Sequence, residues 1–518
     1  MDSPLSAPEN TSQEAARTSP ERVDAGGGTI RSASSASGAW SWAAAACSAV
    51  LLYLGTGLSP VAALTWIAPL PILLIAPRVT ARRAMALAFL AYLAGSANSW
   101  DYFLRPRPSL AVPLPAALSI LIGGSVLFAV AVLLFRALLV RGHAVLATLA
   151  VPATWVGVLY LTSLASPSGV MGTLATTQAD VTTVVQIASV TGFWGVEYLV
   201  LLVPAAIAAC SATGIPVIAR LRAGAAGLVI SALALGYGTF RLHDSPAAAS
   251  SRHVVVLARD QGHWATDVAT PEGRELVAAY AERIAGLPEG SGIVVLPEAG
   301  FAADDASLPA LVGPMERAGR ARGADIVIGL LHTTGGVRYN SALAVPAGGG
   351  APAEFHRWNA GMDQVSRTGH DLAYLPGTPW AGMVVCGDVN FPRPTRDYAA
   401  AGARLLAVPA SDEDVDGWQH SRTALLRGVE NGLAVAWSDQ RGVPMISDSW
   451  GRVRAETRTR PDAGPDSFAM AAATVPAGPG ATPYTRFGDW FPWLCLLTTL
   501  AASLFVVAAR LRERPQRA

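Results

Sequence analysis

Apolar positions fall into two regimes along the chain. Between residues 39 and 245 they run in long blocks, and from Ser109 to Ala219 the only charges are Arg136, Arg141, Asp180 and Glu197. Such blocks exceed the roughly 20 residues needed to cross a bilayer as a helix. They predict spans at 39–57, 59–77, 84–104, 113–139, 143–163, 193–213 and 223–241, with an eighth at 490–509. From 251 to 486 the apolar runs shorten and charges become frequent. Strands are predicted there at 253–258, 292–297, 325–330, 340–345, 382–386, 404–409 and 433–438. Helices alternate with them over 271–286, 307–322, 393–402 and 418–431. Short Val- and Ile-rich runs between such helices indicate an α/β domain with well-buried sheets. Residues 1–38, rich in Ser, Ala, Gly and Glu, contain no apolar run and read as a disordered tail. The expected architecture is a polytopic helical membrane bundle of about eight spans with one α/β domain before the last span. A basic tail, 510–518, follows it.

Charge adds orientation. The 518 residues include 38 basic and 37 acidic side chains, so no field for a polyanion such as nucleic acid is implied. All the basic residues are arginine, which excludes any mechanism that needs a catalytic lysine. Short cytoplasmic loops concentrate arginine. Arg78, Arg82 and Arg83, then Arg136 and Arg141, then Arg220 and Arg222, and finally Arg510, Arg512, Arg514 and Arg517 occupy alternate loops of an eight-span chain. Arg105 and Arg107 run against this pattern. The loop 164–192 has no arginine and falls on the opposite side, beside the α/β domain. The expected location is therefore the cytoplasmic membrane, multi-pass, with the domain facing away from the cytoplasm.

Cys47, Cys210 and Cys495 fall within predicted spans, leaving Cys386 as the lone thiol of the domain and excluding an intradomain disulfide. A lone cysteine reads equally as a small buried hydrophobe or as a nucleophile. Glu298 follows the strand GIVVLP, Cys386 closes GMVVC, and Asp388 lies just beyond, at the strand ends where α/β folds expose functional side chains. Glu197 lies one turn into a predicted span; an intramembrane carboxylate is either functional or reaches the interface. His253, His263, His332, His356, His370 and His420 are scattered without metal-ligand spacing, so no metal and no cofactor are expected. His420 reads as a helix residue packing on the sheet.

The stretches IVVLPEAGF (293–301) and GMVVCGDVNFPRPTRDYAAAGARLLAVPASD (382–412) resemble the nitrilase, or carbon-nitrogen hydrolase, superfamily. VQIASVTGFWGVEYLV (185–200), RYNSALAV (338–345), WQHSRTALLRGVENG (418–432) and TPYTRFGDW (482–490) narrow this to a resemblance to the apolipoprotein N-acyltransferase family, over about residues 39–510. The resemblance implies an αββα sandwich, with Cys386 as nucleophile and Glu298 as general base. The implied partners are a phospholipid acyl donor, diacylglyceryl lipoproteins and membrane lipids, and the implied state is a monomer. A fatty acyl chain would pass to Cys386 as a thioester and then to the lipoprotein's terminal amine. The loop 164–192, with Gly169 and Gly172, is either a plain connector or helps to admit lipid tails.

This chain also departs from the family pattern. In EFHRWNAG (354–361), Arg357 stands where the family has its third catalytic residue, a lysine. Asp363 and Asp371 are the candidates for the family's loop glutamate. Gly387 and Asp388 replace an aromatic and a glutamate after the cysteine, and PATWVGVLYLTS (152–163) lacks the usual Glu and Arg. Asp388, Asp363 and Glu197 are the candidates for oxyanion or substrate support. Three activities fit these residues: the acyltransferase, a catalytically silent homologue that binds lipid or lipoprotein, and a membrane-tethered amidase.

Overall fold

The computed structural model describes residues 38–105, 112–243, 251–262, 264–361, 365–376, 378–460 and 467–513. The predicted tail (apart from Gly38), Arg107, His263, Asp363 and the last arginines lie outside them.

The first part of the chain is helical, with α1 (Gly38–Gly55), α2 (Ala81–Gly95), α3 (Leu114–Leu139), α4 (Ala144–Ala165), α5 (Trp194–Cys210) and α6 (Val217–His243). Among the described residues, α1, α3, α4, α6 and a helix at the far end of the chain are long and apolar enough to cross a membrane. The predicted span 59–77 is instead a broken path of Ala62–Thr65, Leu70–Ile75 and a 3-10 turn. Pro69 and Pro71 cut its backbone hydrogen bonds. The predicted span 84–104 ends as an α-helix at Gly95, where a 3-10 turn takes over. Buried on most of its length, α4 packs against α3, α5 and α6.

The α/β domain is two facing sheets. The first sheet contains β1 (Ser251–Ala258), β2 (Thr266–Asp267), β3 (Gly292–Val295), β4 (Phe301–Asp304), β5 (Ala324–Thr334), β6 (Val337–Val345) and β7 (Ala353–His356). The second contains β8 (Tyr374–Leu375), β9 (Thr378–Met383), β10 (Leu405–Ala410), β11 (Ala434–Asp439), β12 (Met445–Ser447) and β13 (Val453–Glu456). β14 (Ala469–Pro476) returns to pair antiparallel with β1. The central strands β1, β3, β5 and β4 run parallel, as do β9, β10 and β11. Strands of this kind are apolar on both faces because both are covered. Helices α7 (Pro271–Ala285) and α8 (Leu308–Arg322) cover the first sheet, and their core is closed by Tyr280, Phe301, Leu311 and Met315. On the other side, helix α9 (Gly417–Asn431) packs on β11.

Helix α9 is amphipathic in sequence, yet its polar residues are buried too, Arg422, Arg427 and Glu430 included. Its polar face meets the 164–192 segment, the residue ahead of α5 and the turn 386–390 instead of water. One apolar core accordingly continues from α3, α4 and α5 through α9 into the second sheet. The final helix, α10 (Trp490–Glu513), packs back against α4.

Candidate active site

The site forms where three strands of the domain end near one another. β3 runs out at Val295, and three residues later Glu298 is fixed through its own backbone, whose N–H donates to the Ala410 carbonyl at the end of β10 (3.1 Å). β7 ends at His356, which delivers Arg357; its N–H donates to the Asn340 carbonyl on β6 (2.9 Å). β9 ends at Met383, not at the predicted Cys386. Asp388 reaches back to accept the Val385 N–H (3.3 Å), so the chain leaves the ladder and enters a tight turn, Cys386–Asn390. Cys386 opens that turn with φ +41°, a left-handed conformation unfavourable for a residue with a Cβ.

Glu298 Oε1 accepts from Asn340 Nδ2 (2.8 Å) and from Arg357 Nη1 (3.0 Å). The glutamate is essentially inaccessible and Arg357 is 14 % exposed, so this ion pair is largely desolvated. The guanidinium is held on its other edge by Nε, which donates to the Asn359 carbonyl (2.7 Å). It lies over Gly387: a Cβ there would stand 2.5 Å from Arg357 Nη2. The two departures from the family pattern are therefore one. The broader fork of arginine occupies space that only a glycine at 387 leaves open.

The thiol of Cys386 is buried, with Sγ 3.9 Å from the Ser411 carbonyl oxygen. Burial pushes its ionisation well up, the negative charges of Glu298 and Asp412 push it further, and Arg357 opposes them. The thiol rests protonated, and a base must take its proton before it can attack.

Asp388 plays another part than the expected oxyanion support. Its carboxylate accepts from the N–H groups of Trp358 (3.2 Å) and Asn359 (2.9 Å), from Asn359 Nδ2 (3.0 Å) and from Val385. An acceptor so occupied has nothing to donate to an oxyanion. It ties the loop carrying Arg357 to the turn carrying Cys386. Burial raises its carboxyl to about 6 against the pull of Arg357. Asp371 lies exposed, and its carbonyl accepts from Trp358 Nε1 (3.2 Å). Asp363 lies outside the described residues.

Glu197 does not reach an interface: it is wholly buried, accepting from Trp155 Nε1 (2.9 Å) and from the Ala175 N–H (2.7 Å). It fastens the 164–192 loop to the helices. That loop is no plain connector. Gly169 and Gly172 both have positive φ and press against Asn390 of the cysteine turn and Gln419 of α9, and the Val170 N–H donates to the Asn390 carbonyl (3.0 Å). A second link runs through α9. Arg427 donates to the carbonyls of Val389 (2.8 Å) and Asn390 (3.3 Å) and pairs with Glu430 (2.7 Å), which accepts the Phe193 N–H ahead of α5 (2.6 Å).

Three neighbours of the thiol were missed in the sequence. Asn340 lies within the noted RYNSALAV stretch, and its inward register on β6 brings it to Glu298. Asp412 and His420 are joined by a 2.6 Å hydrogen bond, and one ligand-type atom from each, with Cys386 Sγ, all lie within 4.8 Å of one another. His420 does pack on the sheet, edge-on to Trp437 with ring centroids 4.7 Å apart.

Residues 37–206 match the family described as apolipoprotein N-acyltransferase N-terminal domain, and residues 258–463 match carbon-nitrogen hydrolase. An apolipoprotein N-acyltransferase of Geobacter metallireducens is 26 % identical over 506 residues, covering 90 % of this chain and 94 % of that protein. The chain thus carries one domain of each kind and resembles apolipoprotein N-acyltransferases over nearly its whole length. An apolipoprotein N-acyltransferase of Thermotoga maritima matches 26 % of each chain at 28 % identity. Solved structures with a similar chain course include a nitrilase-superfamily protein of Saccharomyces cerevisiae (16 % identity, 45 % of this chain, 93 % of that one, TM-score 0.38). An amidase from Nesterenkonia is another (18 %, 46 %, 92 %, TM-score 0.35). The chain combines a helical region of several apolar helices with a nitrilase-like α/β domain.

Proposed function

We propose that this protein N-acylates lipoproteins, moving a fatty acyl chain from a phospholipid through a Cys386 thioester to the terminal S-diacylglyceryl-cysteine. The coarse activity, acyl transfer to lipoproteins, is supported by the domain matches in both parts of the chain and by the similarity to an apolipoprotein N-acyltransferase over 90 % of it. The observation that carries the finer reading is the 3.0 Å contact of Arg357 with Glu298 beside Gly387, which supplies a cation where the family's lysine is missing. In the first half-reaction Glu298 takes the thiol proton and sulfur attacks the ester carbonyl carbon. The carbonyl oxygen gains negative charge, which the Arg357 guanidinium stabilises by charge and hydrogen bonding. The ester C–O bond breaks, and the departing lysophospholipid oxygen takes the proton from Glu298. Arginine does not give up its own proton, so its role is electrostatic only.

Both substrates are anchored in the bilayer. The continuous core from α4 through α9 to the second sheet holds the thiol at a fixed place relative to the helices, which supports a membrane-borne acyl donor over a small soluble amide. In this reading the arginine-rich loops face the cytoplasm and the α/β domain the other side. The test is intact-protein mass spectrometry after incubation with phospholipid. One hydroxylamine-labile acyl mass is expected, absent from Cys386→Ala. No adduct on a folded protein that still binds lipid would make it a silent homologue.

A further inference from the structure

The proposed second half-reaction has a proton to dispose of. At neutral pH the acceptor is an ammonium group, whose α-amino pKa is about 7.7–8.0. Thioester and ammonium yield amide, thiol and one proton. Nitrogen loses two protons in all; sulfur takes one back as the C–S bond breaks and the C–N bond forms, and the other must leave the site. Glu298 can return one proton to sulfur. Arg357 cannot receive the other, because it is already protonated, and the sequence contains no lysine.

Beside the thiol, Asp412 and His420 are both buried, at 8 % and 5 % exposure. Asp412 Oδ1 meets His420 Nδ1 at 2.6 Å, while His420 Nε2 has no hydrogen-bond partner. A buried polar atom left unpaired is costly unless the site uses it. We infer that the Asp412–His420 pair is a second proton acceptor at Cys386, taking the proton that the incoming ammonium group must lose. The inference rests on the acyltransferase reading of the same site.

The surroundings suit the task. Burial lowers the imidazole's affinity for a proton, while Asp416, Asp439 and Glu298 raise it and Arg357 lowers it. Asp412 is pushed well up by burial and then by Asp416. Asp416 accepts from the Tyr102 hydroxyl of the helical region, and Asp439 from the Asp412 N–H. The pair therefore rests with a neutral imidazole, ready to take one proton, and the carboxylates around it hold that charge once it arrives. Release to water completes the turnover.

The test is single-turnover kinetics of wild type and His420→Asn, which keeps an amide donor for Asp412 but no titratable ring. The variant should load Cys386 from phospholipid at close to the wild-type rate. Its transfer to an amine acceptor should be about tenfold slower at pH 7, where only about a tenth of the α-amino group is free base, and should recover above pH 9. An equal transfer defect at every pH, or no defect, overturns the proposal. Should the variant fail to load, wild type decides across acceptors of different amine pKa. A second ionisation that stays in place across the series supports the pair; rates that follow the acceptor's own pKa alone overturn it. Failure of wild type to load at all refutes the acyltransferase reading instead.

Discussion

Replacing Gly387 with alanine should displace the Arg357 guanidinium without unfolding the protein. The new methyl would stand 2.5 Å from Nη2, inside any allowed contact. Nη2 is the tip of a flexible side chain, so the guanidinium yields, and with it the 3.0 Å bond from Nη1 to Glu298. A hydrogen bond between charged groups contributes about 1.5–3 kcal/mol. At about 1.4 kcal/mol per tenfold, loading of Cys386 should slow about 10- to 100-fold. The assay is the single-turnover rate of hydroxylamine-labile acyl adduct formation, in the wild-type and Arg357→Lys backgrounds. An ammonium has no forked second nitrogen over residue 387, so in the lysine background the same alanine should cost less than about threefold. The difference is a coupling energy of about 1–2 kcal/mol, within the range for residues in contact. If Gly387→Ala slows both backgrounds by the same factor, the two departures are independent and the space argument fails.

The remaining predictions concern the scaffold around the thiol. Because Asp388 takes up a proton at about 6 and then holds Trp358, Asn359 and Val385 more weakly, loading should fall as pH drops through about 6. Asp388→Asn should remove that acid limb from the pH–rate profile and lower the plateau. Glu430→Gln leaves the buried Arg427 charge uncompensated, at a cost of about 3–5 kcal/mol, seen as earlier thermal unfolding in detergent. Glu197→Ala strips the partners of Trp155 and the Ala175 N–H, and should speed limited proteolysis within 164–192 while leaving that of α7 and α8 unchanged.

The division into apolar helices and an α/β domain was legible because charge density and run length are one-dimensional properties. Strand and helix ends in the domain fall within a few residues of the predicted ones for the same reason: α8 stops at Arg322 because Gly323 follows in the left-handed conformation, and α9 likewise at Gly432. Tertiary relations stayed hidden. Nothing between residues 357 and 387 marks them as neighbours, so an arginine and a glycine looked like two losses when they are one exchange of volume. Cys386 was read as closing a strand because its preceding residues are strand formers; the carboxylate of Asp388, two residues beyond, ends the strand early. His420 was dismissed on spacing, yet its partner lies eight residues back across the turn before α9 and its target far upstream.

The side chains gathered around the thiol are two carboxyl groups, an amide, a guanidinium and an imidazole, with no primary amine. An activated acyl group held at that point is vulnerable to any neighbouring amine, which would capture it irreversibly as an amide. A lysine in contact with the thioester would be such a trap unless kept protonated, whereas a guanidinium is too weakly nucleophilic to compete. In the proposed reaction, the exchange to arginine would make the loaded state inert toward its own protein, so that it could persist until a second lipid-anchored molecule drifts within reach in the plane of the bilayer.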